Sequence, residues 1–311
     1  MRSRRRPPAI VAAGLLGLAA LPAAAPALRA QGLPLGDGHV SKRPEVGSVF
    51  ACRDRFRGGG ARHAGGWIRG GTWDPDAKPH VSGHVMWPSA AFALVPSDTG
   101  ILVRSNGLPV DEPTGSFPIA PSDSAYRWDT NPNRIRSQDL DFTLPARPRA
   151  APEPGCLPMG MIGVTTTGVA LYDALDDAGR DAAAHEVQDD CDGHPQGRGH
   201  YHYHGPSPCL PGVGADSLVG WALDGFPILG ERDSAGRELA DADLDACHGR
   251  SENVVVDGRT YGYAYHMTRE YPYTLGCFTG AVPVGTLEAI RRGLGPPRRA
   301  RPGAGRPGGK G

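Results

Sequence analysis

Several signatures of common function classes are missing from this chain of 311 residues. It has no Gly-x-Ser-x-Gly elbow of a serine hydrolase, no glycine loop that cradles phosphate and no dinucleotide-binding fingerprint. It also has no apolar run that could span a bilayer, because the longest run, residues 9–20, falls short of the roughly 20 residues a membrane helix needs. Its function must therefore be sought in less common patterns.

The net charge of the chain is zero, but the charge is unevenly distributed. Residues 1–30 contain five arginines and no acidic residue, and residues 286–311 contain seven basic residues and one glutamate. The remainder is therefore acidic. An acidic body argues against nucleic-acid binding, which needs a basic face, and it attracts cations.

The two ends of the chain do not have the composition of a folded domain. Residues 1–30 combine a cluster of arginines with a short apolar run and small residues around Ala25 and Ala27, which predicts a secretory signal peptide. Residues 286–292 are predicted to form a short helix capped by Thr286. From Pro296 onward the chain is rich in Pro, Gly and Arg, so residues 286–311 are predicted to be a basic, largely disordered tail.

The 45 glycines and 31 prolines favour turns and short strands over long helices. We predict an all-β fold, a β-rich module with one or two short helices, over residues 46–285, with residues 46–95 as a possible N-terminal subregion. Alternation of polar and apolar residues predicts strands at residues 81–86 and 101–104. The clearest predicted helix covers residues 181–190, with Asp181 as its N-cap.

An internal repeat connects residues 163–209 with residues 220–277. Glycines, an Ala-Gly-Arg turn and a Tyr-x-Tyr-His segment recur in the same order in both, with only small changes in spacing. An ordered set of matches of this kind indicates a duplicated β unit. The matching positions are Gly168 and Gly225, residues 178–180 and 235–237, and Tyr201-x-Tyr203-His204 and Tyr263-x-Tyr265-His266.

Six cysteines in an exported chain are expected to form disulfides. In each repeat unit, two cysteines bracket the Tyr-x-Tyr-His segment. If the units are equivalent, the pairs are Cys191–Cys209 and Cys247–Cys277, and Cys52–Cys156 follows by elimination. Each closed loop should contribute about 3 kcal/mol of stability in the chain-entropy model.

Histidines concentrate around the first Tyr-x-Tyr-His segment. If residues 200–204 form a strand, His202 and His204 share one face and Tyr201 and Tyr203 the other. Two imidazoles in a His-x-His strand suit a copper or zinc ion. Nearby side chains extend the predicted site: His194 in a turn and His266 of the second unit as further ligands, and Glu186 and Asp190, four apart on the predicted helix, as ligands or as partners that orient an imidazole.

A specific segment, Glu186 to Pro195 followed by Tyr201-His202-Tyr203-His204, resembles the bacterial proteins named for a YHYH domain. Residues 222–227 and 271–277, and residues 105–109 with 115–118, resemble further segments of that family, so the resemblance covers about residues 95–280. Family members often carry a histidine after the Asn-Gly-x-Pro turn, where this chain has Val110 and Asp111. The resemblance implies an exported setting and no particular reaction.

These observations favour an exported, secreted or periplasmic protein that binds copper or zinc. One alternative is a metal-dependent secreted hydrolase with Glu186 as general base. Another is a non-catalytic cell-surface module whose strand histidines only pack and hydrogen-bond to the backbone. An open ligand position beside a cleft would favour the hydrolase, and ring nitrogens satisfied by backbone carbonyls would favour the structural module.

Overall fold

A computed structural model describes residues 32–61, 64–97 and 100–294. Strands predominate in these residues and the two α-helices are short, so the predicted all-β class is confirmed. The predicted signal peptide and the tail after residue 294 lie outside the described residues. Within the described part of the chain, no helix is long and apolar enough to cross a membrane.

The regular elements are short and are joined by many turns. The helices are α1, Ala182–His185, and α2, Thr286–Gly293, and short 3-10 helices occur at Pro75–Ala77, Ser124–Arg127 and Asp241–Asp243. In chain order the strands are β1 Leu33–Pro34, β2 Val40–Ser41, β3 Val49–Phe50, β4 Ile68–Arg69, β5 Thr72–Trp73, β6 Phe92–Pro96, β7 Ile101–Ser105, β8 Leu140–Leu144, β9 Ala150–Gly155, β10 Met161–Thr165, β11 Ala170–Tyr172, β12 Gly193–Pro195, β13 Tyr201–Tyr203, β14 Leu218–Ala222, β15 Pro227–Leu229, β16 Gly249–Arg250, β17 Val254–Val256, β18 Arg259–Tyr261, β19 Ala264–His266 and β20 Phe278–Gly280.

The largest sheet has the strand order β12-β13-β11-β10-β14-β15-β19-β16. Its central pair, β10 and β14, is antiparallel, and the same sequence of pairings follows outward on both sides. β11 and β15 pair antiparallel with β10 and β14, respectively, and β13 and β19 pair parallel with β11 and β15. The edge strands β12 and β16 then pair antiparallel with β13 and β19. The two segments of the predicted repeat thus supply one half of the sheet each, with the same strand order, and Gly168 and Gly225 both have positive φ, 84° and 88°. The duplication itself stays a prediction.

The centre of this sheet is covered on both faces. All five residues of β10 are buried, and Val164, Leu171 and Ile228 are fully inaccessible to solvent. Strands that are buried on both faces are continuously apolar rather than alternating. Each such side chain contributes about 1.5–3 kcal/mol relative to an exposed one, so the central strands form a rigid base for the segments at the edges.

Two predicted elements differ from the structure. Residues 81–86 do not form a strand and make only isolated bridges, of Val81 with Asp189 and of Val85 with Thr114, whereas the strand predicted at 101–104 is β7. The predicted helix 181–190 ends at His185. Asp181 is its N-cap, as expected, since its carboxylate accepts a hydrogen bond from Ala184 N.

The helix ends early because its continuation is bonded elsewhere. Glu186 has extended backbone angles, φ −85° and ψ 145°. Its carbonyl oxygen accepts a hydrogen bond from Lys78 Nζ at 3.0 Å, and the carbonyl of Gln188 accepts one from Val81 N at 2.9 Å. These long-range bonds replace the hydrogen bonds that a longer helix would make.

Both ends of the described chain belong to the fold. Of the described residues, those from Gly32 onward form one compact unit, which thus includes residues 32–45. Gly36 N, for example, donates to the carboxylate of Asp181 at 2.9 Å. At the other end, α2 confirms the predicted helix. Its N-cap is Gly285, and the Thr286 hydroxyl instead donates to the carbonyl of Thr143.

The three predicted disulfides are confirmed. They are Cys52–Cys156, Cys191–Cys209 and Cys247–Cys277, which close sequence separations of 104, 18 and 30 residues. No cysteine of the chain is free. The second and third bridges each fasten the segment that carries one Tyr-x-Tyr-His strand.

Candidate metal centre

His194 lies directly opposite His202 on the edge of the large sheet. β12 and β13 are antiparallel, and their register places Gly193 opposite Tyr203, His194 opposite His202 and Pro195 opposite Tyr201. Directly paired residues project from the same face, and the two imidazole rings are 4.6 Å apart between centroids. His194 is thus held by a strand pair and not by the turn that the sequence suggested.

His202 and His204 direct their Nε2 atoms at each other. The Nδ1–H of His202 donates to the carbonyl of His200 at 3.0 Å, and the Nδ1–H of His204 donates to the carbonyl of Asp173 at 2.6 Å. A carbonyl oxygen only accepts, so Nδ1 carries the hydrogen and Nε2 carries a lone pair in both neutral rings. The two Nε2 atoms are 3.1 Å apart, and this contact requires a proton or a metal cation between them.

Glu186 completes the cluster from the residue after α1. Its Oε2 is 3.2 Å from Nε2 of His194 and 3.3 Å from Nε2 of His204. Neither ring nitrogen of His194 has a hydrogen-bond partner of acceptable geometry among the described residues, although both are buried. The carboxylate oxygen and the His194 nitrogen are thus close without being aligned for a hydrogen bond.

The spacing of these atoms fits a coordination shell. One nitrogen from each of His194, His202 and His204 lies within 4.8 Å of the other two. A tetrahedral zinc site with bonds of about 2.0–2.1 Å has ligand atoms roughly 3.3 Å apart. The Nε2 atoms of His202 and His204 are 3.1 Å apart, and Oε2 of Glu186 is 3.2 Å from Nε2 of His194 and 3.3 Å from Nε2 of His204. Three nitrogens and one oxygen therefore surround a space of about the size of one ion.

The ionisation of the cluster follows from its burial. Burial alone would raise the pKa of Glu186, but the neighbouring His194 and His204 outweigh this effect and hold that pKa well below its usual range. Burial lowers the pKa of His202, and the adjacent His194 and His204 lower it further. For His204 burial also acts downward, but Glu186 overcomes it and the pKa is raised. A buried carboxylate in contact with imidazoles is the charge pattern that a cation complements.

Aromatic residues fix the histidine-bearing strand β13 on both faces. Tyr172 stacks on the His202 ring, with centroids 3.8 Å apart, and its hydroxyl is hydrogen-bonded to Nδ1 of His200. Burial lowers the pKa of His200 to about 3, so that ring is neutral. On the opposite face, Tyr201 donates to the carboxylate of Asp189. This confirms that tyrosines and histidines of the strand occupy opposite faces.

The cluster opens onto a cleft. A cavity of about 910 Å³ is lined by all four residues of the cluster, by Tyr172 and by one side of α2. Asn131 and Asn133 border it, and both donate a side-chain hydrogen bond to the carbonyl of Pro195 at the end of β12. The imidazole and carboxylate groups are therefore buried, yet they face a space large enough for a small molecule.

Two predicted site residues are not brought to this cluster. Four strands lie between β13 and β19, which separates His266 from His204 by roughly 20 Å or more at the usual strand spacing. The ring of His266 is instead bonded to Glu252 and to the carbonyl of Gly230. Asp190 is largely exposed and pairs with His80 at 3.3 Å. It points away because the helix that would have aligned it with Glu186 ends at His185.

Other residues of the site carry no signal in the sequence. Tyr172 is the last residue of β11 and Asp173 follows it, and β11 pairs in parallel with β13 about 30 residues later. Lys78 donates to the carbonyl of Glu186 from more than 100 residues earlier. Only the strand order and the chain path bring these groups to the histidines.

Comparison with known proteins found a family match for part of the chain. Residues 141–238 match the family model described as YHYH protein. The matched region includes the whole histidine–glutamate cluster and the strand Tyr201–Tyr203. The resemblance to that family is therefore shown for this region. No curated protein and no solved structure was found to match the chain.

Proposed function

We propose that this protein binds one copper or zinc ion through His194, His202, His204 and Glu186. The observation that carries this proposal is the pair of Nε2 atoms of His202 and His204, 3.1 Å apart with both lone pairs facing inward. A module in which the histidines were only structural would satisfy both ring nitrogens with protein groups. Here the backbone satisfies only Nδ1 of these two rings, and their Nε2 atoms face each other and the Glu186 carboxylate, an arrangement that a bound cation would complete.

The ligand types support copper or zinc. Imidazole nitrogens suit both metals, and one carboxylate oxygen is a common additional ligand of zinc. The backbone carbonyls that bind the Nδ1–H groups orient the rings and raise the basicity of Nε2, as the outer partners of metal-bound histidines generally do. His266 is not part of the proposed site, since the structure places it in the other half of the sheet.

Metal analysis of protein produced without an affinity tag tests the proposal. The protein is stripped with a chelator, reloaded with Cu²⁺ or Zn²⁺, desalted and analysed by mass spectrometry of the elements. We expect one ion per chain. His202→Ala should lose this stoichiometric ion while near-ultraviolet circular dichroism shows that the disulfide-bonded fold persists.

A matched control comes from the second half of the sheet. His266→Ala removes a buried histidine of the second half, the counterpart of His204, whose Nδ1 also faces a backbone carbonyl. It should retain one ion. A wild-type protein that retains no ion, or a His202→Ala variant that retains as much as the control, would disprove the metal site.

A second candidate function is metal-dependent hydrolysis. The observation that favours it is the cleft of about 910 Å³ onto which the cluster opens, because a ligand position open to a cleft can hold a water molecule. In this case the three histidines hold the ion, and Glu186 is not a ligand but acts as the general base beside it. Turnover of ester or amide substrates by the metal-loaded protein, absent in Glu186→Gln with the ion still bound, would establish catalysis.

We further propose that the protein acts outside the cytoplasm and that its two halves arose by duplication. Three disulfides in a chain without a free cysteine support an oxidising compartment. The matching strand pairings support duplication. In the second half Ala264 stands where the first has His202, and Arg250 where it has His194, so only the first half keeps the chelating set.

A further inference from the structure

Three arginines lie close together beside the metal cleft in an otherwise acidic body. Arg53, Arg55 and Arg57 alternate along an irregular segment, and all three line a second cavity of about 540 Å³. We call this set the arginine rim.

The charges of the arginine rim are not neutralised by their neighbours. Among the described residues, none of its three guanidinium groups forms an ion pair. Asp54, within the segment, is instead 3.9 Å from Lys42. Asp177 is the one acidic residue that lines the cavity. Three positive charges against one negative charge make the cavity attractive to anions.

The rim is continuous with the metal cleft. Arg53 and Asp177 line both cavities. The same segment continues to Gly60, where a β-carbon would be 3.0 Å from Oε1 of Glu186. A molecule held by the rim can therefore extend along the segment toward the histidines.

The segment is fastened at several points, so the arginines have a defined place. Cys52 is bonded to Cys156 immediately before Arg53. Further along, Phe56 packs on Gly179, and Gly58 N donates to the carbonyl of Asp177 at 3.1 Å. An ordered backbone reduces the entropy that binding would otherwise cost.

We propose that the arginine rim binds the oxyanion group of a ligand, such as a phosphate ester, whose remaining part extends into the metal cleft. Guanidinium groups recognise oxyanions by paired, charge-assisted hydrogen bonds, which favours this chemistry over a simple halide. The role as a substrate subsite rests on the proposed metal centre, but binding of the anion itself does not.

Calorimetric titration with inorganic phosphate and with phenyl phosphate, at low ionic strength, tests the proposal. The triple variant Arg53→Gln, Arg55→Gln, Arg57→Gln should weaken both about tenfold or more, the loss expected when charge-assisted hydrogen bonds are removed. The control triple variant Arg43→Gln, Arg147→Gln, Arg149→Gln makes the same change of charge at exposed positions that line neither cavity. It should bind both ligands as the wild type does.

Two further measurements separate this proposal from the metal site. The rim variant should keep its metal content, and metal-free His202→Ala should still bind phosphate. Phosphate binding that survives in the rim variant but is lost in His202→Ala would place the anion on the metal and overturn the proposal. Phenyl phosphate that binds no more tightly than inorganic phosphate would overturn the extension of the ligand into the cleft.

Discussion

Gly60 lies directly against Glu186, so that a β-carbon at position 60 would be 3.0 Å from Oε1 of the glutamate. It would also be 3.0 Å from Oδ2 of Asp176. Gly60 has φ of +73°, a conformation that side chains of L-residues rarely adopt. The backbone conformation and the available space thus both require glycine beside this side chain of the cluster.

We predict that Gly60→Ala weakens metal binding, because the added methyl group displaces the Glu186 carboxylate. Gly58→Ala is the matched control. Gly58 belongs to the same segment and has φ of +78°, but nothing lies within 4 Å of its added β-carbon. Both variants should lose about 1 kcal/mol of unfolding free energy through backbone strain. Only Gly60→Ala should lose metal affinity in a competition titration with a chromophoric chelator, and equal affinities would refute a role of this contact.

A second prediction concerns the carboxylate itself. Glu186→Gln should lower metal affinity by at least about 10- to 100-fold, the loss found when even an outer hydrogen-bond partner of a metal ligand is removed. Glu252→Gln is the counterpart in the other half, since Glu252 contacts His266 at 2.5 Å. Chelator competition should show unchanged affinity for Glu252→Gln. A similar loss in both variants would mean that the effect is one of general stability.

The disulfides offer a third comparison. Replacing Cys191 and Cys209 by serine should lower the unfolding free energy by about 3 kcal/mol, and the same change at Cys247 and Cys277 by about 3.5 kcal/mol, in the chain-entropy model. The first bridge fastens the segment that carries His194 and His202, so only its removal should also weaken metal binding. Urea denaturation and metal analysis of the two double variants measure both effects. Metal loss from the second variant would contradict the assignment.

A fourth prediction concerns pH and Asp241. Burial, together with the nearby Glu270, raises the pKa of Asp241 to about 7, above the value of about 3.9 expected in the unfolded chain. The folded state therefore binds the proton more tightly, and the stability of the protein falls as pH rises from 4 to 7. Asp241→Asn removes the ionisable group and therefore the loss of stability between pH 4 and 7. It should raise Tm at pH 8 by about 2–4 °C for each kcal/mol recovered, and should leave Tm at pH 4 nearly unchanged.

The pKa of Asp233 is shifted in the opposite direction, so its effect on stability with pH is the reverse of that of Asp241. Hydrogen bonds from the backbone of Arg237 and Ala235 lower its pKa, so its contribution to stability is present above the unfolded pKa and is lost as pH falls. Asp233→Asn should accordingly lower Tm at pH 8. Differential scanning calorimetry of both variants at the two pH values checks the signs. A gain for Asp241→Asn of equal size at both pH values would show that ionisation is not its cause.

Much of the fold could be predicted because it depends on local patterns. The abundance of glycine and proline indicated short strands, and the alternation of Tyr201 and Tyr203 with His202 placed them on opposite faces, as a strand requires. The recurring order of residues in the two segments predicted the cysteine pairs. The histidines that could chelate a metal were also apparent, since a His-x-His strand places two imidazoles on one side by its own geometry.

The sequence by itself therefore determined the class of fold, the disulfide pairs and the face on which His202 and His204 lie. Only the tertiary structure decided which other residues join them. Lys78 and Val81 donate hydrogen bonds to the carbonyls of Glu186 and Gln188, and the helix ends at His185. Glu186 therefore faces the histidines, whereas Asp190 faces solvent. The strand order then separates His266 from the cluster. Both the early end of the helix and the position of His266 depend on hydrogen bonds between distant segments, which cannot be predicted from periodicity along the chain.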